Sequence, residues 1–370
     1  MGETSGHGRK TLTLSGLPRP DNRGMNPGFP SRRAALSLLL ASPLPLLAAP
    51  SQAAGSYARH AAAAAFAAEI SERHALPLRW LQQQLALARR IEAVRKLIMP
   101  PPVGVPKNWA AYRARFIEAQ RIAAGVAFWR DNQAWLHEAQ ERWGVPPEVV
   151  VGVIGVETFY GRIMGNFRTL DALATLSFDF PPGRKDRSAF FRSELEAFLL
   201  MCSKQGVAPA SVKGSYAGAM GLPQFMPSSL SRWAVDMDGD GRVDLQRSAA
   251  DAIGSVANYL ASFGWQRGQP THFELTPPAD AAQRATLLAP DIVPSFSAAQ
   301  MTEHGALLSQ EARAHQGLLA LIELQNGDQP DSHVAGTANF YVITRYNWSS
   351  YYAMAVIELA AALRSAAPAR

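Results

Sequence analysis

The segment Pro146-Pro147-Glu148-Val149-Val150-Val151-Gly152-Val153-Ile154-Gly155-Val156-Glu157 reads as a helix with no polar face. Proline suits a first helical turn, where its missing N–H is not needed, and the apolar positions that follow predict burial on every side. Glu157 is the first charged residue after Glu148. Near the C-terminal end of a helix the backbone dipole opposes a carboxylate, and burial opposes it too, so both effects predict a raised pKa. A carboxyl group that keeps its proton near neutral pH is suited to general acid catalysis. A Glu at a helix end is also commonly a surface or salt-bridged residue, so this segment alone does not fix a function.

Outward from this helix the chain is mainly helical. Residues 58 to 143 are Ala/Leu-rich, with apolar positions recurring at steps of three and four residues, as in Leu81, Leu85, Ala88, Ile91, Val94 and Ile98. Pro100-Pro101-Pro102 and Pro106 mark a loop. A second helical block runs from about 147 to 265, divided by Pro181-Pro182-Gly183 and by Pro223 to Pro227. Residues 271 to 276 and 317 to 343 alternate as strands do. Asn326-Gly327 signals a turn between Leu318–Leu324 and Thr337–Thr344. An amphipathic helix over 351 to 365 closes the chain. The expected class is mainly α with a small attached sheet (α+β).

Of the 370 residues, 48% are hydrophobic and 18% charged, enough for a substantial core in two domains or one elaborated domain. The net charge of +6 is concentrated at the start. Residues 1–54 carry six Lys/Arg against two acids, leaving 30 basic and 28 acidic residues in the remainder. So balanced a body argues against a nucleic-acid partner. Cys202, the single cysteine, excludes an intramolecular disulfide and a Cys-based metal site, and its apolar surroundings predict a buried, inert thiol.

Ser31-Arg32-Arg33, the apolar run Ala34 to Ala49 and the small residues Ser51-Gln52-Ala53-Ala54 form, in order, the three regions of an export signal cleaved near Ala53. The route is twin-arginine or ordinary secretion, Met25 is a candidate start, and the destination is the periplasm. The apolar run is short and broken by Pro43 and Pro45, so no stable membrane span is expected. No Cys follows it to carry a lipid.

Ile154-Gly155-Val156-Glu157-Thr158-Phe159-Tyr160-Gly161 resembles the catalytic Glu segment of the lytic murein transglycosylase B family. Four further stretches resemble that family's segments in their usual order: Asp171 to Phe178, Gly214 to Gly221, Gln224 to Ser229 and Asp251 to Tyr259. The resemblance covers about residues 65 to 360, within a catalytic region expected over 58–365. It implies a lysozyme-like fold and cleavage of the bond between N-acetylmuramic acid and N-acetylglucosamine in peptidoglycan without water, leaving a 1,6-anhydro sugar. It also implies that Glu157 serves as both acid and base. Hydrolytic glycosidases usually need two carboxylates; Asp171 and Asp179 are available but suit a helix cap or turn. By the same resemblance, Ser215 and Gln224 hold the acid and the substrate's N-acetyl group, while Tyr112, Tyr259, Tyr346, Asn347 and Tyr352 line the cleft. Each of those tyrosines suits a sugar face or a core position equally well. Leu222-Pro223 departs from the small or aromatic residues the family has before Gln224.

Asp236-Met237-Asp238-Gly239-Asp240-Gly241-Arg242-Val243-Asp244 places carboxylates at positions 1, 3, 5 and 9 with Gly at 6, a spacing that wraps oxygen ligands around Ca²⁺. Position 12 is Arg247, not Glu, so Asp251 at position 16 is the candidate for the missing ligand. The family resemblance adds the carbonyl of Arg242 to the set. A solvated acidic turn is the alternative. The ion's expected role is structural, over a loop of residues 236–251, and no organic cofactor is expected. A lysozyme-type hydrolase and a non-catalytic peptidoglycan-binding scaffold are the competing functions; a monomer is expected.

Overall fold

The computed structural model describes residues 56–100 and 106–367; the expected export signal lies outside them. After a short 3₁₀ turn at Tyr57–Arg59 come α1 (Ala61–His74), α2 (Leu78–Leu87), α3 (Glu92–Leu97), α4 (Trp109–Arg113), α5 (Ala119–Asp131), α6 (Gln133–Trp143) and α7 (Pro147–Thr158). Strand β1 (Phe167–Arg168), α8 (Thr169–Phe178), α9 (Ser188–Gln205), β2 (Lys213–Gly214), α10 (Pro227–Trp233) and α11 (Ala249–Ser262) follow. The remainder is β3 (His272–Thr276), α12 (Ala281–Leu288), α13 (Ala298–Glu303), β4 (Leu307–Leu308), α14 (Gln310–Ala314), β5 (Ala320–Asn326), β6 (Gln329–Gly336), α15 (Ala338–Tyr346) and α16 (Ser350–Ala366).

Helix α7 begins on Pro147 and is buried from Val149 through Thr158, as its sequence requires. Its main partner is α16. The closing helix forms where its sequence predicts, but its first half has no polar face: Tyr351 through Ile357 are buried without a break. Small alanine side chains on several of its faces let neighbours close in from more than one direction, which blurs the helical period. The two helices touch through glycine. A Cβ at Gly152 would lie 2.9 Å from the Val356 carbonyl oxygen, and one at Gly155 would lie 2.9 Å from Leu359 Cδ2. Gly152→Ala therefore forces the helices apart and costs ~1–3 kcal/mol by overpacking, an expected drop in melting temperature that thermal denaturation measures.

A second core gathers α1–α3, α8 and α9. The run Leu81 to Ile98 is two helices, not one. Ala88 and Ile91 are extended because α8 offers their segment better bonds: Asp171 Oδ1 accepts the Arg89 N–H (2.9 Å) and Thr175 Oγ1 accepts the Ile91 N–H (3.0 Å). Leu81, Leu85, Ala88, Val94 and Ile98 are buried all the same. Cys202 lies in this core, and burial pushes its thiol up to about 12, the inert state expected of it.

The four-stranded sheet runs β4-β3-β6-β5, all antiparallel, over a third small core. Asn326-Gly327 does begin the hairpin turn, but its second strand is Gln329–Gly336 and not Thr337–Thr344, which is largely helix α15. The polar start of β6, Gln329-Pro330-Asp331-Ser332, is exposed and has little strand propensity, so the apolar residues beyond it attract the assignment instead. Thr337 ends the strand by capping α15, its side chain accepting the Asn339 N–H.

Candidate active site

Glu157 occupies the last turn of α7 and is 8% exposed. The Tyr352 hydroxyl, from α16, donates to Glu157 Oε1 at 2.8 Å and so holds the carboxyl in one orientation. Immediately beyond, Phe159 and Tyr160 adopt left-handed backbone conformations (φ 52° and 57°), and so does Gln224 (φ 50°). Non-glycine residues enter that region at a cost, and such strain collects at functional sites. Among the described residues, three of the five that do so are these.

Thr158 joins the helix end to the turn that carries Gln224. Its hydroxyl donates to the Leu222 carbonyl (2.9 Å) and accepts the Gly161 N–H (3.1 Å). Gln224 Nε2 donates to the carbonyls of Met164 (3.2 Å) and Gly221 (2.9 Å), bracing the loop after α7 against the same turn. Tyr346 Oη donates to the Pro223 carbonyl at 2.6 Å. The departing pair Leu222-Pro223 thus contributes backbone carbonyls to the clamp, and the Leu222 side chain is buried in the main core.

The aromatic candidates extend from there. Tyr352 stacks with Tyr346 (centroids 6.2 Å apart, 14°), Tyr346 packs on Tyr259 (4.9 Å), and Phe225 lies against both Tyr259 and Tyr346. Tyr259 donates to the Arg345 carbonyl at 2.7 Å, and Asn347 is buried at the end of α15. Tyr112, on α4, meets Tyr351 edge-on at 5.7 Å, one residue from Tyr352. These tyrosine rings are largely buried. Ser215 closes its own turn, accepting the Ala219 N–H at 3.0 Å. It neighbours the site because Gly165 (φ 90°), following Met164, packs so tightly on Gly214 that a Cβ would overlap its carbonyl. Glu157, Tyr352, Tyr346, Tyr259 and Gln224 thus form one connected group, with Tyr112 and Ser215 at its margins.

Thr158, Arg121 and Glu194 were not singled out by sequence. Thr158 carried a signal in its place directly after the acid. Arg121, distant in sequence, carried none: its Nη1 donates to the Gly155 carbonyl at 2.6 Å and its guanidinium lies 4.3 Å from the centroid of the Phe159 ring, a cation placed at the C-terminal end of α7. Glu194 is 3% exposed and accepts both the Ser228 hydroxyl (2.6 Å) and N–H (2.9 Å), fastening α10 to α9. Burial raises its carboxyl pKa despite the opposing bonds from Ser228. The folded chain then binds this proton more tightly than the unfolded one. That stability is fully present below the ordinary value of 4.5 and is lost as pH rises through the folded value. Melting curves should therefore favour the native protein over Glu194→Gln most in acid, with the advantage shrinking toward neutrality.

In the acidic loop, carboxylate oxygens of Asp236, Asp238 and Asp251 lie within 4.8 Å of one another. Gly239 and Gly241 (φ 72° and 87°) turn the loop, and Asp236 accepts both their N–H groups at 2.8 Å. Asp251, 1% exposed in the first turn of α11, accepts the N–H groups of Met237 and Asp244. Asp240 instead turns its Oδ1 to the Arg242 N–H (2.8 Å), outside the three-carboxylate cluster. Burial raises the Asp251 carboxyl, and Asp238 and Asp236 push it the same way. Three converging carboxylates, one of them buried, form a hard-oxygen donor set whose charge a divalent cation would largely offset.

Residues 58–361 match the model of the transglycosylase SLT domain family. The chain is 39% identical to the membrane-bound lytic murein transglycosylase B of Escherichia coli over 325 residues, 84% of this chain and 85% of that protein. It superposes on the soluble lytic transglycosylase SltB1 from Pseudomonas aeruginosa with a TM-score of 0.75 (38% identity, 82% of this chain, 99% of that one). It also superposes on the Escherichia coli lytic transglycosylase Slt35 in complex with calcium, with a TM-score of 0.73 (38% identity, 86% and 99%). The chain belongs to the transglycosylase SLT domain family and is an enzyme of the lysozyme-like lytic transglycosylase kind.

Proposed function

We propose that this lytic transglycosylase cuts peptidoglycan glycan strands between N-acetylmuramic acid and N-acetylglucosamine, with Glu157 as its single acid and base. The observation that carries the assignment is the buried Glu157 carboxyl, held by Tyr352 at the strained end of α7. In the first half of the reaction Glu157 gives its proton to the glycosidic oxygen as the bond from C1 breaks. In the second half the carboxylate takes the proton of the muramic acid C6 hydroxyl while that oxygen bonds to C1. One water fewer enters the product than in hydrolysis, and the enzyme returns to its protonated state.

The two other acids within reach in sequence are engaged elsewhere. Asp171 holds the Arg89 N–H, and Asp179 accepts the Tyr57 hydroxyl at 2.5 Å. This favours one-carboxylate chemistry over a two-carboxylate hydrolase. Ser215, Gln224, Tyr112, Tyr259, Tyr346, Asn347 and Tyr352 are assigned to shaping the cleft, the tyrosines as a packed wall in which the Tyr259, Tyr346 and Tyr352 hydroxyls bond to the Arg345 carbonyl, the Pro223 carbonyl and Glu157. Calcium is assigned to Asp236, Asp238 and Asp251 in a structural role, with the Arg242 carbonyl, and Asp240 once its carboxylate turns from the Arg242 N–H, completing the shell. Among the described residues no helix is long and apolar enough to cross a membrane. The periplasm is the proposed location, reached by the export signal in residues 1–54.

Digestion of purified peptidoglycan, followed by mass spectrometry, tests this reading. Anhydro-ended fragments are expected. Fragments with reducing ends would indicate a hydrolase, and no release at all, with calcium present, a binding scaffold.

A further inference from the structure

The sequence marks Asn326-Gly327 only as a turn, yet in the fold the Asn326 side chain joins the sheet to the helix that carries Tyr112. Asn326 Oδ1 accepts the Ala110 N–H of α4 at 3.1 Å. Its Nδ2 donates to the Pro330 carbonyl (3.0 Å) and the Ser332 hydroxyl (3.2 Å) of β6, and its own N–H donates to Asp331 Oδ1 (3.1 Å). The next residue repeats the join, the Gly327 N–H donating to the Lys107 carbonyl at 3.0 Å. Just before it, the Gln325 carbonyl accepts the Tyr351 hydroxyl at 2.9 Å.

Helix α4 is five residues long, too short to hold its shape alone, and its first N–H groups need acceptors from outside the helix. Asn108 supplies one, to Ala111, and Asn326 supplies another. Tyr112 rides on this helix and packs on Tyr351, beside the tyrosine that holds Glu157. A carboxamide suits the join because it accepts toward α4 and donates toward β6 at once.

We infer that Asn326 is a positioning residue for the Tyr112 wall of the cleft, and that the small sheet serves substrate binding by fixing this wall. The inference rests on the assignment of Tyr112 to that cleft. Kinetics on soluble glycan strands and amide hydrogen exchange over residues 109–113 test it, in native protein, Asn326→Ala, Asn326→Asp, Tyr112→Ala and the double alanine variant. Asn326→Ala should raise KM roughly three- to ten-fold, as expected for loss of such a bond, leave kcat within about two-fold, and speed exchange in α4. Asn326→Asp, which keeps the acceptor for Ala110 but sets a carboxylate oxygen against the Pro330 carbonyl in place of the amide donor, should recover both only in part. The double variant should bind no worse than Tyr112→Ala alone. Unchanged exchange in α4, a loss confined to kcat, or additive effects in the double variant would overturn the inference. Faster exchange with a KM that Tyr112→Ala leaves unmoved would overturn the Tyr112 assignment and reduce Asn326 to a structural latch.

Discussion

Glu157→Gln is expected to reduce release of soluble fragments from peptidoglycan by roughly a thousand-fold or more, since it removes the group assigned both proton transfers. The substitution keeps the size and planar shape of the side chain, and its amide oxygen can still accept the Tyr352 hydroxyl, so the fold and glycan binding should survive. Comparing rates with melting temperature and binding separates chemistry from folding. Equal loss of activity and stability would assign Glu157 a structural role. Retained activity would move the acid to another residue.

Removing calcium is expected to have the largest effect on stability. An ion that binds only the folded chain stabilises it by about 4 kcal/mol at a thousand times its Kd. For a chain of this length that is a fall in melting temperature of roughly 5–6 °C on chelation. Asp251→Asn should abolish the calcium dependence, because it removes the buried ligand from the three-carboxylate cluster. The loop lies between α10 and α11, and α10 follows directly on the Gln224 turn, so activity should fall with the loss of structure and return with the ion. A melting temperature indifferent to calcium and to chelator would leave the loop a solvated acidic turn.

The helix of Glu157 was legible because its apolar run leaves no alternative to burial, and the Asn326-Gly327 turn because Gly327 takes up the left-handed backbone (φ 65°) that favours glycine. The break at Ala88–Ile91 was not: the bonds that end α2 there come from Asp171 and Thr175, more than 80 residues away in sequence. The helix at Ala338–Tyr346 resembled a strand because its β-branched and aromatic residues suit either state, and a cap on Thr337 decided the matter. At the site, the acid and its neighbouring motif could be read directly. The clamp around it could not, since Arg121, Leu222 and Pro223 act on backbone carbonyls or through their own, which residue type does not encode.

Digestion in heavy-oxygen water tests the central claim most directly. If Glu157 closes the C6 oxygen onto C1, the newly formed muramic acid ends carry no label and are lighter by one water than hydrolytic ends. Labelled reducing ends, absent with Glu157→Gln, would show that water is the nucleophile and that the protein is a hydrolase.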